Sequence, residues 1–172
     1  MAIAFHPEQK ARYHGGMSTP IIIRNARPDD LPLIVDFNDR LAEESEGKKL
    51  DRAILSKGVQ RALASPEMCI YFMAEVNGEV AGQTMITFEL TDWRDGVLWW
   101  LQSVYVRPEF RKIGVFKALF QHIATLAKES KDIRGLRLYV EQGNSRAQRV
   151  YEQMGMQPGG YLVYEQDWSL KK

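Results

Sequence analysis

The apolar residues of this chain recur with two different periods, which predict its helices and strands. The β-branched run Ile21-Ile22-Ile23 suits a first strand. Beyond it, apolar positions spaced by three or four residues predict two helices, over about residues 28–41 and 50–63. Pro28-Asp29-Asp30 is typical of a helix start, and Pro66 favours an end of the second helix before it.

Apolar runs of shorter period then predict three strands. Residues 70–76 and 80–90 flank Asn77-Gly78, which indicates a tight type I′ turn because both central residues of that turn must tolerate positive φ. A third strand is expected from Leu98 to Val106, and Pro108 stops it. This part of the chain therefore predicts a hairpin followed by one more strand.

The remaining residues alternate between the two periods. Residues 115–126 predict the clearest amphipathic helix, residues 136–141 a strand, and residues 147–154 a last helix. A final strand is expected from Tyr161 to Trp168. The order β-α-α-β-β-β-α-β-α-β predicts one α/β domain, of the α+β kind, over residues 20–172.

The first nineteen residues lack this periodicity. Pro7 interrupts any helix there, Gly15-Gly16 follows, and the apolar run at the start is shorter than that of a signal peptide. We therefore expect residues 1–19 to form an N-terminal extension outside the core fold, with Met17 as an alternative start.

Composition and charge exclude some classes of function. The chain has 172 residues with a net charge of +1, whereas a protein that neutralises many phosphates of a nucleic acid carries a strong basic excess. The single cysteine, Cys69, excludes an internal disulfide and favours the reducing cytoplasm. No apolar run approaches the roughly 18 residues that span a bilayer, so neither a nucleic acid nor a membrane is expected as partner.

The segment that says most about function runs from Val104 to Leu119, where a strand ends and a helix begins near Gly114. The first N–H groups of a helix have no intrahelical partners, and a glycine lets a phosphate approach them closely. Arg111, Lys112 and Lys117 add positive charge. The segment predicts a site for a pyrophosphate-bearing ligand, although a solvated basic turn before an ordinary helix has the same composition.

Two motifs in this chain resemble those of the GNAT superfamily of N-acetyltransferases. Residues 111–116, Arg-Lys-Ile-Gly-Val-Phe, follow Val106-Arg107-Pro108 and resemble the acetyl-CoA loop Arg/Gln-x-x-Gly-x-Gly/Ala, which opens the central helix. Phe116 departs from the usual glycine or alanine, and its ring must then turn into the core. Residues 144–156 resemble the second motif, Asn-x-x-Ala-x-x-x-Tyr-x-x-x-Gly-Phe, through Asn144, Ala147, Tyr151 and Gly155.

The resemblance extends over about residues 20–168 and implies a mixed, mostly antiparallel twisted sheet with about four flanking helices. The sheet would splay apart between the strand ending at Val106 and the strand ending at Glu141, with acetyl-CoA as co-substrate in the opening. The family's cofactor contacts fall on the following residues of this chain: Val104, Tyr105, Val106, Arg111, Lys112, Ile113, Gly114, Val115, Phe116, Lys117, Asn144 and Tyr151.

The activity implied by the resemblance is transfer of an acetyl group to a primary amine of a small molecule or peptide, by direct attack in a ternary complex. The amide of Val104 would polarise the thioester carbonyl, and Tyr151 would protonate the departing thiolate. No residue stands out as general base, because Gln102 occupies the strand where many relatives carry a glutamate. A water chain leading to Glu75, Glu89 or Glu141 could supply the base, although all three are expected to be solvated strand carboxylates.

The sequence leaves the acceptor and two other functions open. Two groups of residues could line an acceptor pocket: the glutamates Glu43, Glu44 and Glu46 and the tryptophans Trp93, Trp99 and Trp100. The glutamates are expected to form a solvated turn, and the tryptophans are expected in the core or an interface. The missing base and Phe116 also fit a catalytically silent acetyl-CoA sensor or assembly module, or an interaction protein that lost the cofactor. Family members often form dimers, so a homodimer stays open. The three histidines have no metal-ligand spacing, and His122 is expected to be structural.

Overall fold

The computed structural model describes residues 10–14 and 20–168, which contain six strands and four α-helices. The strands are β1 (Ala11–His14), β2 (Pro20–Asn25), β3 (Cys69–Val76), β4 (Glu79–Thr91), β5 (Gly96–Val106) and β6 (Ile133–Leu138). The helices are α1 (Leu31–Glu46), α2 (Arg52–Leu63), α3 (Val115–Glu129) and α4 (Ser145–Gln153). A first compact unit ends at Tyr139 and holds every element except α4, which belongs to a second unit beginning at Val140.

All six strands form one sheet in chain order, from β1 at one edge to β6 at the other. The neighbours from β1 to β5 pair antiparallel, whereas β5 and β6 are parallel, from Val97 opposite Ile133 to Leu101 opposite Leu138. A parallel pair needs a crossover, and α3 supplies it. The mixed, mostly antiparallel sheet with about four helices is therefore confirmed.

The sheet is covered on both faces, which explains the continuous apolar run in β3. Successive side chains of a strand point to opposite faces. Tyr71 and Met73 pack with Ile34 and Val35 of α1 and with Val59 of α2. The intervening Phe72 lies edge-on to His122 of α3, with ring centroids 5.4 Å apart. Because α1 and α2 cover one face and α3 the other, β3 has no polar side.

The turn between β3 and β4 confirms the hairpin prediction. Asn77 and Gly78 both have positive φ, of 53° and 81°, as a type I′ turn requires. The two strands then pair from Val76 opposite Glu79 to Cys69 opposite Thr87. The turn fixes the register next to it, and a shift between Ala74 and Glu75, which leaves Ala81 without a register partner in β3, moves the rest of the pair by one residue.

A buried ion-pair network ties the start of α1 to the sheet. The Arg24 guanidinium lies 2.7 Å from Asp30 and 2.5 Å from Glu75, and the Arg27 N–H also donates to Asp30. Burial acts to raise the pKa of Asp30, but the hydrogen bonds from Arg24 and from Arg27 N–H hold that pKa below its usual range. Asp30, which the sequence pattern indicates as a helix-start residue, is thus also the ion-pair partner of Arg24.

A buried histidine lies between α3 and the N-terminal strand. His122 is 3% exposed, its Nδ1 lies 3.3 Å from the Tyr13 hydroxyl, and its Nε2 has no hydrogen-bond partner among the described residues. Burial lowers the pKa of His122 from 6.5 to about 4. The imidazole is therefore neutral in the folded protein near neutral pH.

We expect His122 to make the stability of the protein depend on pH. Because its folded pKa is lower than its unfolded pKa, the folded chain binds fewer protons between pH 6.5 and about 4. The stabilisation present above pH 6.5 should fall by about 3 kcal/mol as the pH drops to 4, at about 1.4 kcal/mol per pKa unit. Denaturant unfolding of the parent and of His122→Leu across this window tests it. The variant should show a smaller loss, and equal losses in both proteins would contradict the prediction.

Two parts of the chain differ from the sequence-based expectations. Residues 161–168 form no strand, and the side chains of Tyr161 and Tyr164 are exposed, so the predicted final strand is wrong. Apolar composition suits a strand, but a strand also needs an edge that pairs with its main chain. Residues 11–14, placed in the N-terminal extension, form β1 and pair with β2. The rest of residues 1–19, apart from Lys10, lies outside the described residues.

No helix within residues 10–14 and 20–168 combines the length and the apolar character needed to cross a bilayer.

Candidate functional site

A β-bulge interrupts β5 three residues before its end. Gln102 lies opposite Met85 and Tyr105 opposite Gln83, so Ser103 and Val104 together face the single residue Thr84. Ser103 has a φ of +50°, which is uncommon for a residue other than glycine. The bulge changes which side chains face α1, because Trp100 and Tyr105 share one face of the sheet although five positions separate them.

Side chains of β4 hold the main chain of the bulge. The Gln83 amide donates to the Ser103 carbonyl at 3.4 Å and to Asn38 of α1 at 2.8 Å. The Thr84 hydroxyl donates to the Gln102 carbonyl at 3.1 Å. Both side chains are fully buried. The sequence did not single out these positions, and the only available signal was the polar pair Gln83-Thr84 between the apolar pairs Val80-Ala81 and Met85-Ile86.

Beyond the bulge, β5 extends past its parallel neighbour. The pairing of β5 with β6 stops at Leu101 opposite Leu138, while β5 continues to Val106. The strand parallel to β5 was expected to end at Glu141, whereas β6 ends at Leu138. Within the described residues, the last five residues of β5 therefore have no register partner in β6. At this point β5 has an edge without a strand partner inside the first unit.

The loop after β5 turns sharply into α3. A 3₁₀ turn spans Pro108–Phe110, and then Lys112 and Gly114 adopt left-handed φ values of 69° and 97°. The first helical hydrogen bond runs from Ala118 N–H to the Gly114 carbonyl at 2.9 Å. The helix begins at Val115, as predicted.

Main-chain donors collect at this turn. Among the described residues, no hydrogen bond is formed by the N–H groups of Lys112, Ile113, Gly114, Val115 and Lys117. Unpaired N–H groups at a helix start carry partial positive charge and bind anions. Lys112 and Lys117 are exposed, and their ammonium groups add full charges. The predicted anion site thus has both the donors and the cations that it needs.

Arg111 makes contacts within the protein that the sequence did not indicate. Its Nη2 lies 2.5 Å from Glu44 of α1, and its Nε donates to the Val106 carbonyl at 2.8 Å. The guanidinium also lies over the ring of Tyr105, 5.8 Å from the centroid. Arg111 therefore binds the protein itself, and Glu44 is an ion-pair partner and not part of a solvated turn.

The ring of Phe116 is compatible with a main-chain anion site. Its side chain is half-buried, and the ring lies 6.2 Å from that of Phe120, one helical turn further along α3. Since Phe120 is buried, this contact directs the Phe116 side chain along the helix. The departure from the family pattern at this position is accommodated by packing.

The second unit carries the other two predicted residues. Asn144 caps α4, because its side-chain oxygen accepts from Ala147 N–H at 3.0 Å. Ala147 and Tyr151 are four residues apart and share one face of the helix. Tyr151 is half-buried, and burial raises the pKa of its phenol above the usual range. This phenol stays protonated at neutral pH.

The carboxylates considered as bases are mostly occupied. Glu75 binds Arg24, while Glu89 accepts from the indole N–H of Trp100 and lies 3.0 Å from Arg137. Glu141 is exposed. The described part of the chain contains no group of three or more His, Cys, Asp or Glu side chains placed to hold a metal ion.

The three tryptophans considered for an acceptor pocket, out of the four in the chain, do not lie together. Trp99 is buried in the core beside Phe88, and Trp93 is exposed in the loop before β5. Trp100 points to the opposite face from Trp99 and stacks on Tyr139, with ring centroids 4.4 Å apart. Only Trp100 therefore lies on the face that also carries Tyr105.

Comparisons with known proteins point to one family. The profile described as the acetyltransferase (GNAT) family matches residues 32–156. A thialysine N-epsilon-acetyltransferase from Bos taurus is 30% identical over 147 residues, which cover 80% of this chain and 84% of that protein.

Solved structures show the same architecture. A possible acetyltransferase from Clostridium difficile 630 superposes with a TM-score of 0.81 at 43% identity, over 86% of this chain and 97% of that one. A protein from Clostridium acetobutylicum described as a predicted acetyltransferase, crystallised with acetyl-CoA, gives a TM-score of 0.68 at 21% identity over 84% and 96% of the two chains.

Proposed function

The chain belongs to the acetyltransferase (GNAT) family, and from this we propose that it moves an acetyl group from acetyl-CoA to a primary amine of a small molecule or peptide. As a member of this family it is an acetyl-transferring acyltransferase. We further propose that this chain binds acetyl-CoA as the acetyl donor and that the amine attacks it directly in a ternary complex.

The observation that carries the proposal is the set of unbonded N–H groups at the start of α3. Four belong to consecutive residues, Lys112 to Val115, and a fifth to Lys117. A diphosphate offers several acceptor oxygens at once, and two ammonium groups stand beside these donors. The fold neighbour from Clostridium acetobutylicum was crystallised with acetyl-CoA, which carries such a diphosphate.

The free end of β5 fits the remainder of the cofactor. Ser103 and Val104 share the single residue Thr84 of β4, and residues 102–106 have no register partner in β6 within the described residues. The pantetheine arm of the cofactor is an extended chain with amide groups, and it can pair with this strand end as an added strand does. The Val106 carbonyl already accepts from Arg111, and its second lone pair remains available for this role.

Bound acetyl-CoA would supply a thioester, whose acyl carbon reacts with a neutral amine. The N–H of Val104 would donate to the thioester oxygen and stabilise negative charge there. The Tyr151 hydroxyl would give its proton to the departing sulfur, a role suited to a phenol whose pKa is raised. Asn144 would contact the cofactor through its amide nitrogen, since its oxygen caps α4.

The acceptor is proposed as a primary amine. The Bos taurus relative is named for a side-chain amine, the N-epsilon group of thialysine. Gln102 and Trp100 lie on the sheet face shared with Tyr105, next to the bulge, and would line the acceptor side. The base that removes the amine proton is not among the paired carboxylates Glu75 and Glu89, so a water molecule is the proposed acceptor of that proton.

An assay of free thiol release from acetyl-CoA tests the proposal. We expect release to depend on an added amine across a panel of diamino acids, polyamines and short peptides, each at two concentrations. Calorimetric titration with acetyl-CoA should run in parallel. Measurable binding without thiol release for any amine would favour a silent acetyl-CoA-binding module. Absence of both would favour an interaction protein.

A further inference from the structure

Glu44 makes contacts that neither motif of the chain assigns. It lies in the last turn of α1, sixty-seven residues before its partner Arg111. One carboxylate oxygen lies 2.5 Å from Arg111 Nη2, and the other accepts from the Tyr105 hydroxyl at 3.2 Å. Each oxygen of the carboxylate therefore has a partner inside the protein.

Arg111 and Tyr105 close this arrangement from the other side. Tyr105 is 3% exposed and packs against Phe37 of α1, with ring centroids 5.1 Å apart. Arg111 lies over the Tyr105 ring and donates from Nε to the Val106 carbonyl. The guanidinium of Arg111, the residue directly before the unbonded N–H groups, thus links the end of β5 to α1.

We propose that Glu44 is a positioning residue for acetyl-CoA, because it holds Arg111 in the orientation that fixes the end of β5 and the turn before α3. The inference rests on the proposed function, since the ligand whose binding it improves is acetyl-CoA. Glu44 itself touches neither the cofactor nor the reacting atoms in this proposal. It acts through Arg111.

The physical reason is preorganisation. Arginine has many rotamers, and a loop that must first find its bound conformation binds its ligand more weakly. The ion pair is part-exposed, so its contribution to the stability of the fold is small. Its main effect is then on the orientation of Arg111 and on the main chain between Val106 and Gly114.

A substitution separates this role from simple electrostatics. Acetyl-CoA is an anion, so removing the negative charge of Glu44 would tighten binding if charge alone mattered. Loss of a positioning contact would weaken it. The two explanations predict opposite signs for the change in Kd of Glu44→Gln.

The matched control is Glu43→Gln, which removes the same charge from the same helical turn. Glu43 is exposed, and its side chain forms no hydrogen bond within the described residues. We expect Glu44→Gln to raise the calorimetric Kd for acetyl-CoA by about 5- to 20-fold and Glu43→Gln to change it by less than about twofold. The melting temperatures of the two variants should differ little.

A double-mutant cycle tests whether Glu44 acts through Arg111. In an Arg111→Ala background, Glu44→Gln should have no further effect on Kd, because the contact that it would remove is already absent. Additive effects of the two substitutions would overturn the inference. So would tighter or unchanged binding by Glu44→Gln in the parent background.

Amide hydrogen exchange in the absence of ligand gives a second measurement. The hydrogen-bonded amides of Arg107, Phe110 and Arg111 should exchange faster in Glu44→Gln than in the parent or Glu43→Gln. Unchanged exchange overturns the inference even if the Kd changes. If the parent binds acetyl-CoA and the variant binds equally well, only the inference fails. If the parent does not bind acetyl-CoA, the proposed function fails and this inference fails with it.

Discussion

Gly114→Glu is expected to weaken acetyl-CoA binding by at least about 100-fold. The substitution places a carboxylate among the unbonded N–H groups of Lys112 to Val115, where the diphosphate is proposed to bind. A hydrogen bond to a charged group contributes about 1.5–3 kcal/mol, so loss of two of them accounts for about 3–6 kcal/mol. Each 1.4 kcal/mol corresponds to about tenfold in Kd.

The introduced carboxylate also competes directly with the ligand. Negative groups near the first turn of a helix are stabilised by its dipole, so the new side chain would occupy the donors of α3 itself. Repulsion of the diphosphate adds to this competition. The φ of Gly114, +97°, adds strain for any residue with a Cβ.

A second glycine of positive φ provides a control for placing a glutamate at a strained position away from the site. Gly78, with φ of +81°, lies in the hairpin turn between β3 and β4, and a Cβ there meets no atom within 4 Å. Gly78→Glu should therefore change the Kd for acetyl-CoA by less than about threefold. Calorimetric titration of the parent and both variants makes the measurement. Equal affinity in the parent and Gly114→Glu would place the cofactor elsewhere.

Tyr151→Phe should lower kcat by about 100-fold or more, with little change in the Kd for acetyl-CoA. General acid catalysis contributes about 10²- to 10⁴-fold, and the phenylalanine ring keeps the packing of α4 while removing the proton donor. A group that acts only in the transition state changes turnover and leaves ground-state binding unchanged. Single-turnover kinetics with saturating acetyl-CoA and an active amine measures the effect.

The control and the pH dependence make this prediction specific. Tyr164 lies in the same unit and is 89% exposed, so Tyr164→Phe removes a hydroxyl without affecting turnover. Burial raises the pKa of Tyr151, so its phenol is protonated throughout the neutral range and loses its proton only above pH 10. The ratio of parent to Tyr151→Phe turnover should then be equal at pH 7 and pH 9. Unchanged turnover in the variant removes Tyr151 from the mechanism.

Local patterns were sufficient for the elements with strong periodicity or a specific turn. The hairpin around Asn77-Gly78, the amphipathic helix that begins at Val115 and the helix capped by Asn144 all agree with the structure. Their determinants are turn conformation, helical spacing and capping, which involve residues close together in the chain. The predicted strand at Tyr161 fails because pairing depends on a distant edge.

The proposed anion site depends on the same kind of local information. The donors at the start of α3 and the charges of Lys112 and Lys117 belong to one short segment. A helix start exposes its N–H groups whatever surrounds it, so this part needs no knowledge of the tertiary structure. The roles of Val104 and Tyr151 came from resemblance to family motifs and remain proposals.

The sequence by itself therefore determined the order of most elements, the turn chemistry and the location of the donor groups. Only the tertiary structure decided the β-bulge at Ser103, the buried support from Gln83 and the pairing of Glu44 with Arg111. These features join residues that are 20 to 67 positions apart. Such contacts depend on which strands and helices become neighbours, and no local period encodes that arrangement.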